Sequence, residues 1–145
     1  MTVSLVPLLN IGPQPAIDLT WKLLLERPEE ANISHSGMPS MEQHWKFVLH
    51  SPYRVWYAIL NQDQVKIGTI LLTWRNEIGV AILKEHQRKG YAEAAIKQLM
   101  EMRKPADGIP GERSGHFLAN VAPTNEASIA LFNKLGKVIQ WTYRL

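Results

Sequence analysis

The residues best suited to chemistry are Gln87-Arg88-Lys89-Gly90-Tyr91-Ala92, two cations and a glycine directly before a helical pattern. Ala92, Ala95, Ile96, Leu99 and Met100 recur at i, i+3, i+4, i+7 and i+8, so they share one helix face. A helix start of this kind points several unpaired backbone N–H groups at one spot, and the helix dipole adds positive character there. With Arg88 and Lys89 alongside, the spot suits a pyrophosphate. Gly90 allows close approach of the backbone where a Cβ would obstruct it. The glycine-rich dinucleotide fingerprint and the P-loop are both missing, and a glycine between strand and helix also serves ordinary packing.

Positioning this loop requires a strand before it. Ile78, Val80 and Ile82 alternate with Glu77, Gly79 and Ala81 at strand period. Glu93 falls in the first helical turn, Arg103 and Lys104 in the last, and Pro105 stops the helix. Upstream, residues 3–9 read as an edge strand, and Ile17, Trp21, Leu24 and Leu25 as one helical face ended by Pro28. Ser40 and Gln43 form a capping box for a helix carrying Met41, Trp45 and Val48. Residues 53–60 and 65–74 are β-rich runs joined through Asn61-Gln62-Asp63-Gln64, and Arg75-Asn76 turns into the next strand. These runs predict an antiparallel meander, whereas the crossover helix predicts a parallel neighbour for the third strand. That neighbour is expected at residues 117–121. Asn125 or Thr124 then caps a helix turning Ser128, Leu131, Phe132 and Leu135 inward, Gly136 is its left-handed stop, and residues 138–143 complete the sheet.

The two halves together resemble the GNAT N-acetyltransferase superfamily. Gln87, Gly90 and Ala92 match its Gln/Arg-x-x-Gly-x-Gly/Ala loop, and Asn125, Ser128, Phe132, Leu135 and Gly136 match its later strand–Asn–helix–Leu-Gly element. The resemblance implies one α/β domain over residues 1–145, with a mixed central sheet of about six strands and helices on both faces. It implies acetyl-CoA as cosubstrate and direct transfer of the acetyl group to a primary amine. On this mapping the backbone of Ile82 and Leu83 faces the pantetheine arm, and Gln87, Arg88, Lys89, Gly90, Tyr91 and Ala92 take the pyrophosphate. Asn125 reaches the pantetheine from the far side, and Phe132 lines the groove. Glu77 matches a position where some members carry an acidic residue, the candidate base for the amine; the plain alternative is an exposed strand-end carboxylate.

Many members place a tyrosine where this chain has Phe132, so the usual general acid is missing. A thiolate with a pKa of about 8.5 leaves with little help. Tyr91 and Tyr143 are substitutes, with packing as the simpler role for both. His35 and His44 lie in the segment expected to cover the acceptor, where a histidine is more often packed or superficial. The acceptor class implied is a small-molecule amine such as an amino sugar, with protein N-termini as the alternative and a non-catalytic acyl-CoA-binding module as the rival from another class.

Bulk composition fits these expectations. The chain has 145 residues, 46% of them hydrophobic, a net charge of +3 and no cysteine. The absence of cysteine excludes disulfides, a thiolate nucleophile and thiolate metal sites. No histidine pair has metal-ligand spacing, and no serine or threonine sits beside a convincing base. Basic residues are not gathered with aromatics into a nucleic-acid stripe, no apolar run reaches membrane-spanning length, and the start lacks a signal-peptide pattern. The expectation is a cytoplasmic protein, monomer or homodimer, with no nucleic acid, membrane or metal partner.

Overall fold

A computed structural model describes residues 2–27 and 37–145. Strands β1 (Ser4–Pro7), β2 (Val55–Leu60), β3 (Lys66–Leu72) and β4 (Ile78–Ile82) form a four-stranded sheet in the order β1-β2-β3-β4. Every pairing is antiparallel. Asn61 makes the β2–β3 turn: its Oδ1 accepts from the N–H of Asp63 and Val65, and Gln64 takes φ +62°. Local side-chain bonding of this kind is why asparagine favours turns.

Strand alternation sends two sets of side chains to opposite faces. Tyr57, Ile59, Ile70, Leu72 and Ile78 pack on one face against Tyr91, Ala95, Ile96 and Leu99 of α3 (Tyr91–Met102). Leu131, Phe132 and Leu135 of α4 (Glu126–Leu135) lie half-buried on that same cluster. Ala58 and Leu60 pack on the other face with Ala16, Ile17, Leu19 and Leu23 of α1 (Pro13–Glu26) and Val48 of α2 (Met41–His50). Helices therefore cover both faces.

A bulge in β3 keeps this division. Ile59 pairs with Gly68 and Leu60 with Lys66, so Ile67 is the extra residue and joins the α3-side core. Gly68 sits where a Cβ would come within 2.1 Å of the Ala81 carbonyl oxygen, so the close approach of β4 requires glycine.

Several expectations are corrected. Among the described residues the sheet has four strands and is antiparallel, rather than mixed with about six. The parallel neighbour of β4 shrinks to one bridge, Glu77 with Leu118, made by Ile78 N–H to Leu118 O (2.7 Å) and Leu118 N–H to Asn76 O (2.8 Å). Pro123 lacks a donor and Asn125 already caps a helix, so the chain turns away before a ladder forms. Residues 138–143 form no strand, because no paired strand precedes them to extend. Gly136 has φ −163°, extended rather than left-handed. The α1 stripe is shifted: Leu25 is exposed, while Thr20 is buried with its hydroxyl bonded to Ala16 O at 2.8 Å. The capping box at Ser40 is present in full.

Candidate functional site

The free edge of β4 follows from the register. In an antiparallel strand, alternate residues turn both N–H and C=O to the same side. Glu77 O accepts from Thr73 and Leu83 N–H donates to Ile67 O, so residues 77, 79, 81 and 83 bond toward β3. Residues 78, 80 and 82 face outward. Ile78 spends its N–H on Leu118, and Ile82 O accepts from Gln87 Nε2 at 2.8 Å. Among the described residues, Val80 N–H, Val80 C=O and Ile82 N–H therefore line an open edge, and the bridge to Leu118 does not continue along residues 119–121. The result is a gap beside β4 with polar backbone along one wall. Leu83 does not contribute to it as expected: its N–H is bonded to Ile67 O, its C=O accepts from His86 N–H, and its side chain is buried on the α1 side.

Beyond the gap, the chain makes a 3-10 turn at Lys84–His86 and then exposes Gln87, Arg88, Lys89 and Gly90. Arg88 takes φ +61° and Gly90 φ +84°, the latter serving as N-cap of α3 with no side-chain cap. Turn conformations of this kind can direct successive amides into one concavity. The first-turn N–H groups, from Tyr91, Ala92 and Glu93, have no side-chain acceptor and open onto the same place. A Cβ at Gly90 would meet nothing within 4 Å, so the glycine is required by its φ, and the space over it is free for a ligand. Among the described residues neither Arg88 nor Lys89 has a carboxylate partner. Nearby Glu93 is neutralised, with Lys134 at 3.0 Å and Lys97 at 3.4 Å; the Lys134 hydrogen bond leads in holding its carboxyl below the usual range. The cradle thus combines uncompensated cations with unpaired amides and fits a pyrophosphate. Tyr91 contributes only its backbone, since its ring is in the core and its hydroxyl bonds Gln62 Oε1 at 3.2 Å.

Past the residues that diverge from β4, Asn125 caps α4, its Oδ1 accepting from Ser128 N–H at 3.3 Å, and Phe132 packs on the α3-side core. At the closed end stands Glu77, half-buried, with Thr73 Oγ1 3.2 Å from its Oε1 and Asn120 Nδ2 donating to its Oε2. Alternation puts Glu77 on the same face as Ala81, the face covered by α1 and α2.

Three residues of this frame carried no signal of their own in the sequence. Asn76 is fully buried at φ +66°, and its amide bonds Ala106 N–H (2.7 Å), Ala106 O (2.9 Å) and Ser114 O (2.7 Å), tying the 105–115 loop to the start of β4. Asn120 and Thr73 fix the Glu77 carboxylate. An Asn after Arg75 suggested a turn, but the partners of its amide lie 30 and 38 residues away. Among the other candidates, His44 is packed, 3% exposed, with Thr20 Oγ1 at 2.8 Å and the Trp21 ring beside it. Thr20 gives its one proton to Ala16 O, so it accepts from His44 Nε2–H, the tautomer of a neutral imidazole. Burial lowers the His44 pKa, against the smaller opposing effect of Ile17 O. His35 lies outside the described residues. Tyr143 is 81% exposed. No helix among the described residues is long and apolar enough to cross a membrane, and no cluster of His, Asp or Glu there could hold a metal.

The fold has solved counterparts. An acetyltransferase from Thermus thermophilus superposes with a TM-score of 0.62 at 17% identity, over 94% of this chain and 86% of that one. A GNAT superfamily phosphinothricin acetyltransferase from Sinorhizobium meliloti, in complex with AcCoA, gives 0.61 at 16% identity over 94% and 75%. A ribosomal-protein-alanine N-acetyltransferase from Brucella melitensis biovar Abortus 2308 gives 0.57 at 12% over 99% and 96%. These identities speak for the fold alone. No curated protein matches the sequence. The family model for the acetyltransferase (GNAT) domain matches residues 17–138. By that match, the chain belongs to the GNAT acetyltransferases, which use acetyl-CoA.

Proposed function

We propose that the protein acetylates the primary amine of a small molecule, an amino sugar being the preferred type, by direct transfer within a ternary complex. The single observation that carries the reading is the open β4 edge leading into the Gln87–Ala92 amide cradle. It offers an extended polar wall and an anion site in the order that a thioester arm with a pyrophosphate needs. Acetyl-CoA supplies the activated acetyl group. The chain's own residues do the rest. Amides from Arg88 to Ala92 hold phosphate oxygens, with Arg88 and Lys89 adding charge. Val80 and Ile82 offer backbone groups to the arm, and an outward N–H on this edge stabilises negative charge on a carbonyl oxygen. Asn125 and Phe132 bound the opposite side.

Glu77 accepts the proton the amine must shed before it attacks. Its carboxylate is held in place by Thr73 and Asn120, so it needs no reorientation. With Phe132 in place of a tyrosine, no side chain is assigned to protonate the departing thiolate. A covalent cysteine intermediate is excluded, because the chain has none.

The test is release of free CoA thiol from acetyl-CoA against a panel of amino sugars, other small amines and peptides with free N-termini. Turnover with small amines is expected, and preferential turnover of peptides would move the assignment to protein N-termini. Glu77→Gln should lower turnover about 10²- to 10⁴-fold while leaving acetyl-CoA binding unchanged by calorimetry. Binding without turnover on any acceptor would overturn the enzymatic reading in favour of an acyl-CoA-binding module.

A further inference from the structure

We propose that the cleft where β1 ends and β2 begins is a second anion site, and that it holds a phosphate carried by the amine acceptor. The acceptor part rests on the acetyl-transfer reading above, whereas the anion site rests on the cleft itself. The cleft measures about 250 Å³, and Leu8, Ser51, Arg54, Trp56 and Arg103 are among its walls, with no acidic residue on the lining. Both arginines are held by neutral groups. Half-buried Arg54 donates from Nη1 to Lys104 O at 3.1 Å. Arg103 donates from Nε to the Tyr57 hydroxyl at 2.9 Å, with its guanidinium 6.0 Å from the centre of that ring. Among the described residues neither has a carboxylate partner, so both charges and most of the N–H groups are unspent. Trp56 adds a buried indole N–H with no acceptor among those residues. Two guanidinium forks on one cleft balance the charge of a phosphomonoester, and their planar geometry suits its oxygens.

The strand register ties this cleft to the proposed base. Val55 pairs with Leu72, and Leu72 with Ile78. One step nearer the rim, Arg54, Thr73 and Glu77 therefore follow one another across the sheet, and Thr73 N–H donates to Glu77 O along that row. Strands about 4.8 Å apart put the Arg54 and Glu77 backbones about 10 Å from each other. The Gln87–Ala92 cradle lies past the other end of β4, so the cleft is not an extension of the pyrophosphate site. An acceptor whose amine meets Glu77 can thus extend a phosphate along the rim toward Arg54. A neutral acceptor leaves both forks to water.

The experiment uses the full chain with acetyl-CoA saturating, so that the cradle is filled. In kcat/KM, glucosamine 6-phosphate should be preferred to glucosamine. Arg54→Met should reduce that preference about 10- to 100-fold, through the KM for the phosphorylated acceptor, and Arg54→Lys should restore part of it. Arg103→Met should act in the same direction. A parent chain that uses the two acceptors equally overturns the proposal and leaves acetyl transfer standing. So does a preference that survives Arg54→Met combined with Arg103→Met. Should no amine be turned over, calorimetry of glucosamine 6-phosphate on the CoA-saturated chain decides the cleft by itself. Binding that the double variant loses upholds the anion site while acetyl transfer falls, and absence of binding overturns the site as well.

Discussion

The two parts of this molecule on either side of Leu99 are built differently. Leu99 is the last buried residue; among residues 100–145 none is fully buried. The earlier part holds itself with three strand ladders and apolar clusters on both sheet faces. The later part has no ladder of its own on the sheet: it is joined by one bridge, the buried Asn76 amide, the bonds of Asn120 to Glu77 and Arg113 to Trp74 O, the Lys134–Glu93 pair, and the half-buried Phe117, Leu131, Phe132 and Leu135. Both are needed at the gap, whose near wall belongs to the first and whose far wall to the second. A wall that must admit a ligand comes from the less stable end of a structure by necessity, because a fully packed one leaves no room.

The largest effect should come from the well-packed part. Gly68→Ala places a Cβ 2.1 Å from Ala81 O and 3.1 Å from Ile82 Cα, both backbone atoms that cannot swing aside. β4 must then leave β3, and a loss of at least about 3 kcal/mol is expected by denaturant unfolding. Gly79→Ala is the control. Its Cβ would meet only the Leu71 side chain at 3.2 Å, which can yield, so a far smaller loss is expected. Equal effects at the two glycines would show that the β3–β4 contact is not as close as described.

The next effect lies on the seam. Asn76→Ala removes the amide that bonds Ala106 and Ser114; these residues are half-buried and exposed, so water replaces part of the loss and a total near the low end of about 1–3 kcal/mol is expected. Hydrogen exchange should show the Ala106 and Leu118 amides losing protection while those of β2 and β3 keep theirs. Asn76→Gly relieves the φ of +66° but restores none of these bonds, so it should rescue little. Protection lost uniformly would mean that the two parts unfold as one unit and that the contrast between them is false.

What the sequence disclosed follows the same division. The strand, loop and helix from Glu77 to Met102 were legible because their signals are local: period two, a glycine, then period 3.6. So was the Ser40 capping box, whose partners are three residues apart. Asn76 was not, because a buried amide is defined by partners far along the chain. Residues 138–143 alternate like a sheet-closing strand and form none, because a strand exists only with a neighbour and none pairs with them among the described residues. At the site, the loop and the helix start at Gly90 were legible from residue types, while their use as a phosphate cradle belongs to the proposed function. The free backbone groups were placed at Ile82 and Leu83, whereas the register puts them at Val80 and Ile82, and register is a property of pairing.

A pH scan probes the well-packed part alone. His44 is buried neutral between α1 and α2, with its pKa lowered by that burial. The unfolded chain takes up a proton at this residue near pH 6.5 while the folded one does not. Stability is therefore complete above about pH 6.5 and falls as the pH drops from there through the lowered folded value, by at most about 1.4 kcal/mol per pH unit for one proton. His44→Gln should flatten this portion of the scan in chemical denaturation. A scan unchanged by the substitution would mean that the imidazole is not held neutral between the helices.

The smallest expected effect tests the link between the two parts. Lys134 of α4 meets Glu93 of α3 at 3.0 Å, and Lys97 shares the carboxylate. Exposed pairs of this kind are weak and screened by salt. Because the Glu93 pKa is lowered in the fold, its contribution is present above the unfolded value of 4.5 and is lost as the pH falls through the folded one. α4 is otherwise held by half-buried side chains, so a small loss there is felt locally before it is felt globally. Lys134→Ala should leave the unfolding midpoint nearly unchanged while quickening hydrogen exchange in α4, and high salt should erase the difference between variant and parent. If salt or Lys134→Ala shifted the β2 and β3 amides as much as those of α4, the pair would be bracing the whole sheet rather than tethering one helix to it.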